Sequence, residues 1–299
     1  MRSGTSAFSV RRWAFDVPSD PLLHRAAPAV CLHRAPMKPT AIRRPAVAGM
    51  FYPANPDELR TMIAGFMKAA KAAGPVPKAV IAPHAGYIYS GPIAATAYAR
   101  VAPARGKIRR VVLLGPSHRV PFRGLASTSA TAFVTPLGEI PVDREALAEI
   151  EDLPQVQVLD AAHAMEHSLE VQLPFLQEVL GEFQLVPLAV GEADAEQVGE
   201  VLEKLWGGPE TLIVISSDLS HYNEYKVARK MDEATSRAIE SLKPDGISYD
   251  QACGRIPVSG LLLAARRHGL KAKTIDLRSS GDTAGPRDEV VGYGAYVFE

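Results

Sequence analysis

From Arg44 onward, short and almost wholly apolar runs alternate with longer segments in which apolar residues recur every three or four positions. The first pattern suits strands buried on both faces and the second suits helices packed on one face. Their alternation predicts an α/β fold, a single three-layer domain around a mostly parallel central sheet. Residues 78–82, 109–114, 183–190 and 211–215 read as buried strands. The first helix is signposted: Asn55 can cap it, Pro56 suits the first helical position, and Glu58 stands three residues after the cap. Leu59, Met62, Ile63, Phe66 and Met67 follow on one face, and the helix should end near Gly74. Further helices are expected over 91–101, 143–151, 193–206, 225–242 and 258–267. Leu169, Leu173, Leu176 and Leu180 mark another amphipathic face, kinked or broken at Pro174. Residues 124–142 look like ribbon or hairpin, and the chain closes with strands over 272–277 and 290–298.

Residues 1–36 carry no such pattern. Five arginines face two aspartates there, prolines are scattered, and no apolar run is long enough for an export signal. They read as an extension, disordered or mis-called, ahead of a domain spanning 37–299. The whole chain has 33 basic and 33 acidic side chains, so no overall positive field gathers nucleic acid or anionic lipid. The greasiest stretch, 258–265, stops at Arg266, well short of the roughly 18 residues of a membrane helix. Two cysteines, Cys31 and Cys253, are too few for a disulfide framework. A cytoplasmic protein, binding neither nucleic acid nor membrane, is the expectation.

The chemistry lies in the histidines. His84, His118 and His221 each follow the carboxyl end of a predicted buried strand, the edge at which loops of a parallel sheet converge on ligands. Glu166 and His167 form a fourth candidate, with Glu170 one turn on and His163 just upstream. Imidazoles with a carboxylate, Asp218 or Glu166, suit a divalent metal such as non-haem iron. The same groups can work without metal as acid and base, Asp218 orienting one ring. Tyr87, Ser117 and Ser220 are candidate ligand contacts, although neither serine sits in a GxSxG turn. Cys253 is a redox thiol or a third ligand if the fold brings it inward, and an inert core residue otherwise. His163 and His268 read as bystanders.

Six segments carry a family resemblance: Pro45-Ala-Val-Ala-Gly-Met-Phe-Tyr-Pro53, Ala82-Pro-His-Ala-Gly-Tyr-Ile-Tyr-Ser-Gly91, Leu114-Gly-Pro-Ser-His118, Glu166-His-Ser-Leu-Glu-Val-Gln-Leu-Pro174, Ser217-Asp-Leu-Ser-His221 and Cys253-Gly-Arg-Ile-Pro257. In this order they resemble the Memo-like proteins, from about residue 43 to the end of the chain. The resemblance implies a fold similar to class III extradiol dioxygenases, which hold iron with two histidines and a glutamate. His84 and His118 match the two metal-site histidines, with iron expected first, copper second, and no nucleotide cofactor. The animal relative has a cysteine as third metal-site residue in the stretch aligned with Ser217–His221, where this chain has Ser220. Asp218, His221 or Glu166 would then complete the shell, and His167 would serve as acid or base. If active, the protein would be a metal-dependent oxidoreductase. Bacterial and archaeal relatives are known as protein B of the AmmeMemoRadiSam system, implying an AMMECR-type protein and a radical SAM enzyme as partners. The alternative is a non-catalytic module binding an anionic or phosphorylated peptide or partner in the same pocket.

Overall fold

The structure is a computed structural model that describes residues 42–71 and 73–299. The expectation for residues 1–36 lies outside the described residues. The amino-terminal part runs β1 (Ile42–Arg43), α1 (Pro56–Ala69), β2 (Ala79–Ala82), α2 (Tyr87–Val101) and β3 (Arg110–Pro116). The middle comprises β4 (Leu125–Ser127), β5 (Ala132–Thr135), β6 (Gly138–Pro141), α3 (Arg144–Ala148), β7 (Val156–Val158), α4 (Asp160–Ala164) and α5 (Leu173–Leu180). Then come β8 (Gln184–Val190), α6 (Ala195–Lys204), β9 (Thr211–Ser216), β10 (His221–Asn223), α7 (Tyr225–Glu240), α8 (Arg255–Arg267), β11 (Ala272–Ser279) and β12 (Val290–Phe298).

The four apolar runs become the centre of the main sheet. β2, β9, β3 and β8 pair in parallel in that order, and nearly every residue in them is buried. Strands without polar alternation can only sit where both faces are covered. β12 joins β2 antiparallel and β4 joins β8 antiparallel, extending the sheet on both sides. The ribbon expected over 124–142 divides: β4 enters the main sheet, while β5 and β6 form a hairpin that pairs with β1 in a small separate sheet.

Helices cover both sides of the main sheet. On one, α1 and α5 pack against α2, which lies against β2 and β12; on the other, α6 packs on α8, which lies against β3 and β9. The side chain of Asn55 accepts the amide protons of Asp57 and Glu58 and so caps α1. The proline expectation also finds its physical form, since a short 3₁₀ turn over Glu170–Gln172 precedes α5 and Pro174 sits in its first turn. α2 begins at Tyr87, four residues earlier than the pattern suggested, so Gly91 falls inside it. A Cβ on Gly91 would come within 2.5 Å of the Phe66 ring, so this glycine serves the α1–α2 crossing.

Candidate metal centre

β2 and β3 are parallel strands whose carboxyl ends lie at one edge of the sheet, and His84 and His118 each stand two residues beyond an end. His167 arrives on the segment between α4 and α5, which packs behind both loops. Gly115 permits that approach, because a Cβ there would meet Ser168 Oγ at 2.7 Å. The ring centroids of His84 lie 5.3 Å from His118 and 5.4 Å from His167, and those of His118 and His167 are 4.6 Å apart. One nitrogen from each ring lies within 4.8 Å of the others. Two bonds of about 2.1 Å to a shared ion span at most roughly 4.2 Å, so the rings would draw together to share one.

Two of the three rings have their outer nitrogen fixed. His84 Nδ1 is 2.8 Å from Ser216 Oγ, and that hydroxyl gives its only proton to the Ser168 carbonyl at 2.6 Å while accepting from Gln172 Nε2 at 2.7 Å. With no hydroxyl proton left for the ring, Nδ1 must be the donor, and Nε2 faces Cys253 Sγ at 3.4 Å. His118 Nδ1 donates to Glu166 Oε1 at 2.9 Å. Engaging the outer nitrogen with a carboxylate or hydroxyl oxygen is how metal-binding histidines are oriented. His167 Nδ1 is buried and makes no hydrogen bond among the described residues, although Glu166 Oε1 lies 3.4 Å away.

Charge is distributed unevenly over the cluster. Burial alone would raise Glu166, but the hydrogen bond and charge of His118, the charge of His167 and the Ser168 N–H hold its carboxyl well below the usual range. Burial alone would lower His118, yet hydrogen bonds to Cys253 and Glu166 push it up to about 10. His167 is pushed down to about 3, first by burial and then by the charges of His84 and His118. Burial would raise the Cys253 thiol, but His84 and His118 bring it down to about 6. The result is a thiolate beside an imidazolium and a neutral imidazole. A bound cation would displace the His118 proton and take the same donors, which is the usual coupling of metal binding to proton release.

The other expected site residues lie outside the group of three rings. Glu166 accepts from the amides of His118, His167 and Ser168 as well as the His118 ring, so it stands behind the imidazoles. Asp218 is buried with Oδ1 accepting the His84 N–H at 2.7 Å, and burial raises its carboxyl. His221 lies on β10 with Nδ1 donating to the Leu219 carbonyl. Among the described residues, the group of mutually close donors contains none of these three. Ser117 donates to the Val120 carbonyl, and Tyr87, 1% exposed, donates to the Val171 carbonyl between Tyr52 and Phe175. Ser220 Oγ is buried without a partner among the described residues.

The resemblance put a cysteine at the position of Ser220, but the sulfur beside the rings belongs to Cys253. Its loop docks because Gly254 allows it: a Cβ there would strike the Ser217 Cβ at 2.6 Å, and the Gly254 N–H donates to Ser217 Oγ. Sequence reasoning also missed Ser216 and Gln172, the relay behind His84, and Phe51, whose ring centroid lies 4.9 Å from that of His167. Phe51 and Gln172 fall inside quoted motifs, the one signal available.

The Memo-like protein family model matches residues 43–297. This chain belongs to the Memo-like family. A MEMO1 family protein of Aquifex aeolicus is 37% identical over 271 residues, covering 86% of this chain and 99% of that protein. One from Methanopyrus kandleri is 37% identical over 285 residues (86% and 98%), and one from Methanosarcina barkeri is 37% identical over 272 residues (86% and 100%). Among the described residues, no helix of this Memo-like chain is long and apolar enough to cross a membrane.

Proposed function

We propose that this Memo-like chain is a metal-dependent redox protein in which His84, His118 and His167 hold a divalent ion, iron first and copper second, with Cys253 as a further donor. The observation that carries this reading is the meeting of three imidazoles whose donor atoms lie within 4.8 Å of one another. His167 Nδ1 lies 3.4 Å from Glu166 Oε1, the same oxygen that holds His118 Nδ1, which leaves Nε2 of His167 as the ligand atom. Mixed imidazole and thiolate donors suit iron and copper better than magnesium or calcium. A bound ion of this kind supplies electron transfer and an open coordination position. The residues supply the rest: Glu166 keeps the proton on His118 Nδ1, Ser216 does the same for His84, and Phe51 covers His167. A free thiol of low pKa also fits a reducing, cytoplasmic setting.

An AMMECR-type protein and a radical SAM enzyme are the proposed partners, on the family resemblance; failure of the three to copurify when coexpressed would remove that part. Anaerobic purification followed by metal analysis tests the centre. Stoichiometric iron or copper is expected in the wild type and none in His84→Ala combined with His118→Ala, whereas stoichiometric metal in the double variant would overturn the assignment.

The protonated state of His118 favours a second reading, a metal-free module that receives an anionic or phosphorylated group. Metal-free wild type that binds a phosphopeptide more weakly as pH rises through the titration of His118 would select it, and pH-independent binding would exclude it.

A further inference from the structure

Arg43 precedes the six motif segments, yet it is only 7% exposed and makes three separate contacts with the segment that carries Glu166 and His167. Its Nε donates to the His163 carbonyl at 3.0 Å, its Nη2 to the Glu166 carbonyl at 2.5 Å, and its Nη1 pairs with the Glu170 carboxylate. Glu170 is fully buried and accepts three further donors: the Ala46 N–H at 2.7 Å, the Val47 N–H at 3.0 Å and the Tyr52 hydroxyl at 2.5 Å. Residues 43–52 and 163–170 are thus fastened together at six points. The strap includes Phe51, whose ring lies against His167 and whose carbonyl accepts the Tyr87 N–H at 2.7 Å.

We infer that Arg43, locked by Glu170, is a positioning residue for the histidine cluster: it sets the backbone at Glu166 and thereby the orientation of His118 and His167. A guanidinium satisfies three acceptors lying in different directions from one planar fork, whereas the ammonium of lysine is a point donor on a flexible stem. Arg43 touches neither the rings nor Cys253, and its effect passes through the Glu166 carbonyl. Groups that orient the ligands of a metal site typically change affinity about 10-fold to 100-fold when altered. The metal readout rests on the metal reading proposed above, so a second readout is taken without metal.

The comparison is Arg43→Lys against Arg110→Lys. Arg110 pairs with Asp143 at 2.7 Å at the amino end of β3, the end of that strand opposite His118. Both substitutions should lower thermal stability, but only one should disturb the site. Cobalt(II), titrated anaerobically into metal-free protein and followed by its thiolate absorption, should bind Arg43→Lys about tenfold more weakly than wild type. Arg110→Lys should stay within about twofold. Equal affinities for Arg43→Lys and wild type, or equal losses in both variants, would overturn the inference. If wild type takes no cobalt, the metal reading itself has failed, and the ¹⁵N–¹H signal of His118 Nδ1 decides: a displaced or lost signal in Arg43→Lys supports positioning, and an unchanged one overturns it. Should Arg43→Lys fail to fold, Tyr52→Phe removes one bond to Glu170 and should show the same changes on a smaller scale, its silence counting against the inference.

Discussion

His163 is buried and His118 opens to solvent, and the protein holds the first neutral and the second protonated. Burial pushes His163 down to about 4; its Nε2 donates to the Ala126 carbonyl, its Nδ1 has no partner, and the Phe133 ring packs against it. Burial acts to lower His118 too, but Cys253 and Glu166 within reach push it up to about 10. Full enclosure without an anionic partner leaves His163 a neutral structural ring, whereas His118, open to solvent on one side and held between a carboxylate and a thiol, is placed for chemistry. Cys253 and Glu166 are the groups on which the difference turns.

Glu166→Gln should accordingly have the largest effect. The amide keeps the shape but loses the charge and one acceptor position facing the amides of His118, His167 and Ser168 and the His118 ring. Breaking a buried charge-assisted network costs about 3–5 kcal/mol, and metal affinity should fall about 10-fold to 100-fold. Denaturant melts and metal titrations would check both, and a variant with wild-type values would erase the contrast with His163.

His163 governs a pH effect of similar size. Its folded pKa, about 4, lies below the ordinary value of 6.5, so between these limits the unfolded chain binds more protons. The stabilisation is complete above about pH 6.5 and is lost as pH falls toward 4, amounting to roughly 3 kcal/mol. Denaturation midpoints measured across this window should fall with acid in wild type and fall less in His163→Gln. A wild-type profile flat across the window would contradict the assignment.

Cys253 sharpens the comparison from the other side, as the anion that His118 retains. In metal-free protein, alkylation by iodoacetamide should reach half its maximal rate near pH 6, against about 8.5 for an unperturbed thiol. Half-maximal reaction above pH 8 would mean that the sulfur and His118 do not share charge.

How much of this could be read in advance depended on whether the signal was local. The runs at 78–82, 109–114, 183–190 and 211–215 declare themselves as central strands because no polar residue interrupts their apolar faces for long. His84 and His118 were placed at the correct edge by the same reasoning. The hairpin of β5 and β6 was legible as ribbon, but its separation from β4 was not, because short half-polar strands do not specify a partner. Cys253 entered the site through a loop docked on Ser217, and no spacing rule connects it to His84, 169 residues away. The pairing of Ser216 with Gln172, 44 residues apart, is equally silent in sequence, since a motif marks Gln172 but not its partner until the fold brings them together.

That relay supplies the smallest expected effect. Ser216→Ala removes a hydroxyl that is fully buried, takes the His84 Nδ1 proton, accepts from Gln172 and donates to the Ser168 carbonyl. Gln172 retains the Pro83 carbonyl at 3.0 Å as an acceptor, so the cost should be that of one or two hydrogen bonds, about 1–2 kcal/mol. The ring of His84 would lose the contact that dictates its tautomer, while its backbone would remain fixed by Asp218. Stability should therefore change little while the ¹⁵N shifts of the His84 ring report mixed tautomers and metal affinity falls up to about tenfold. If the ring keeps a single tautomer in Ser216→Ala, then Cys253 rather than Ser216 dictates which nitrogen faces the cluster, and the thiol must donate to Nε2 when it is protonated.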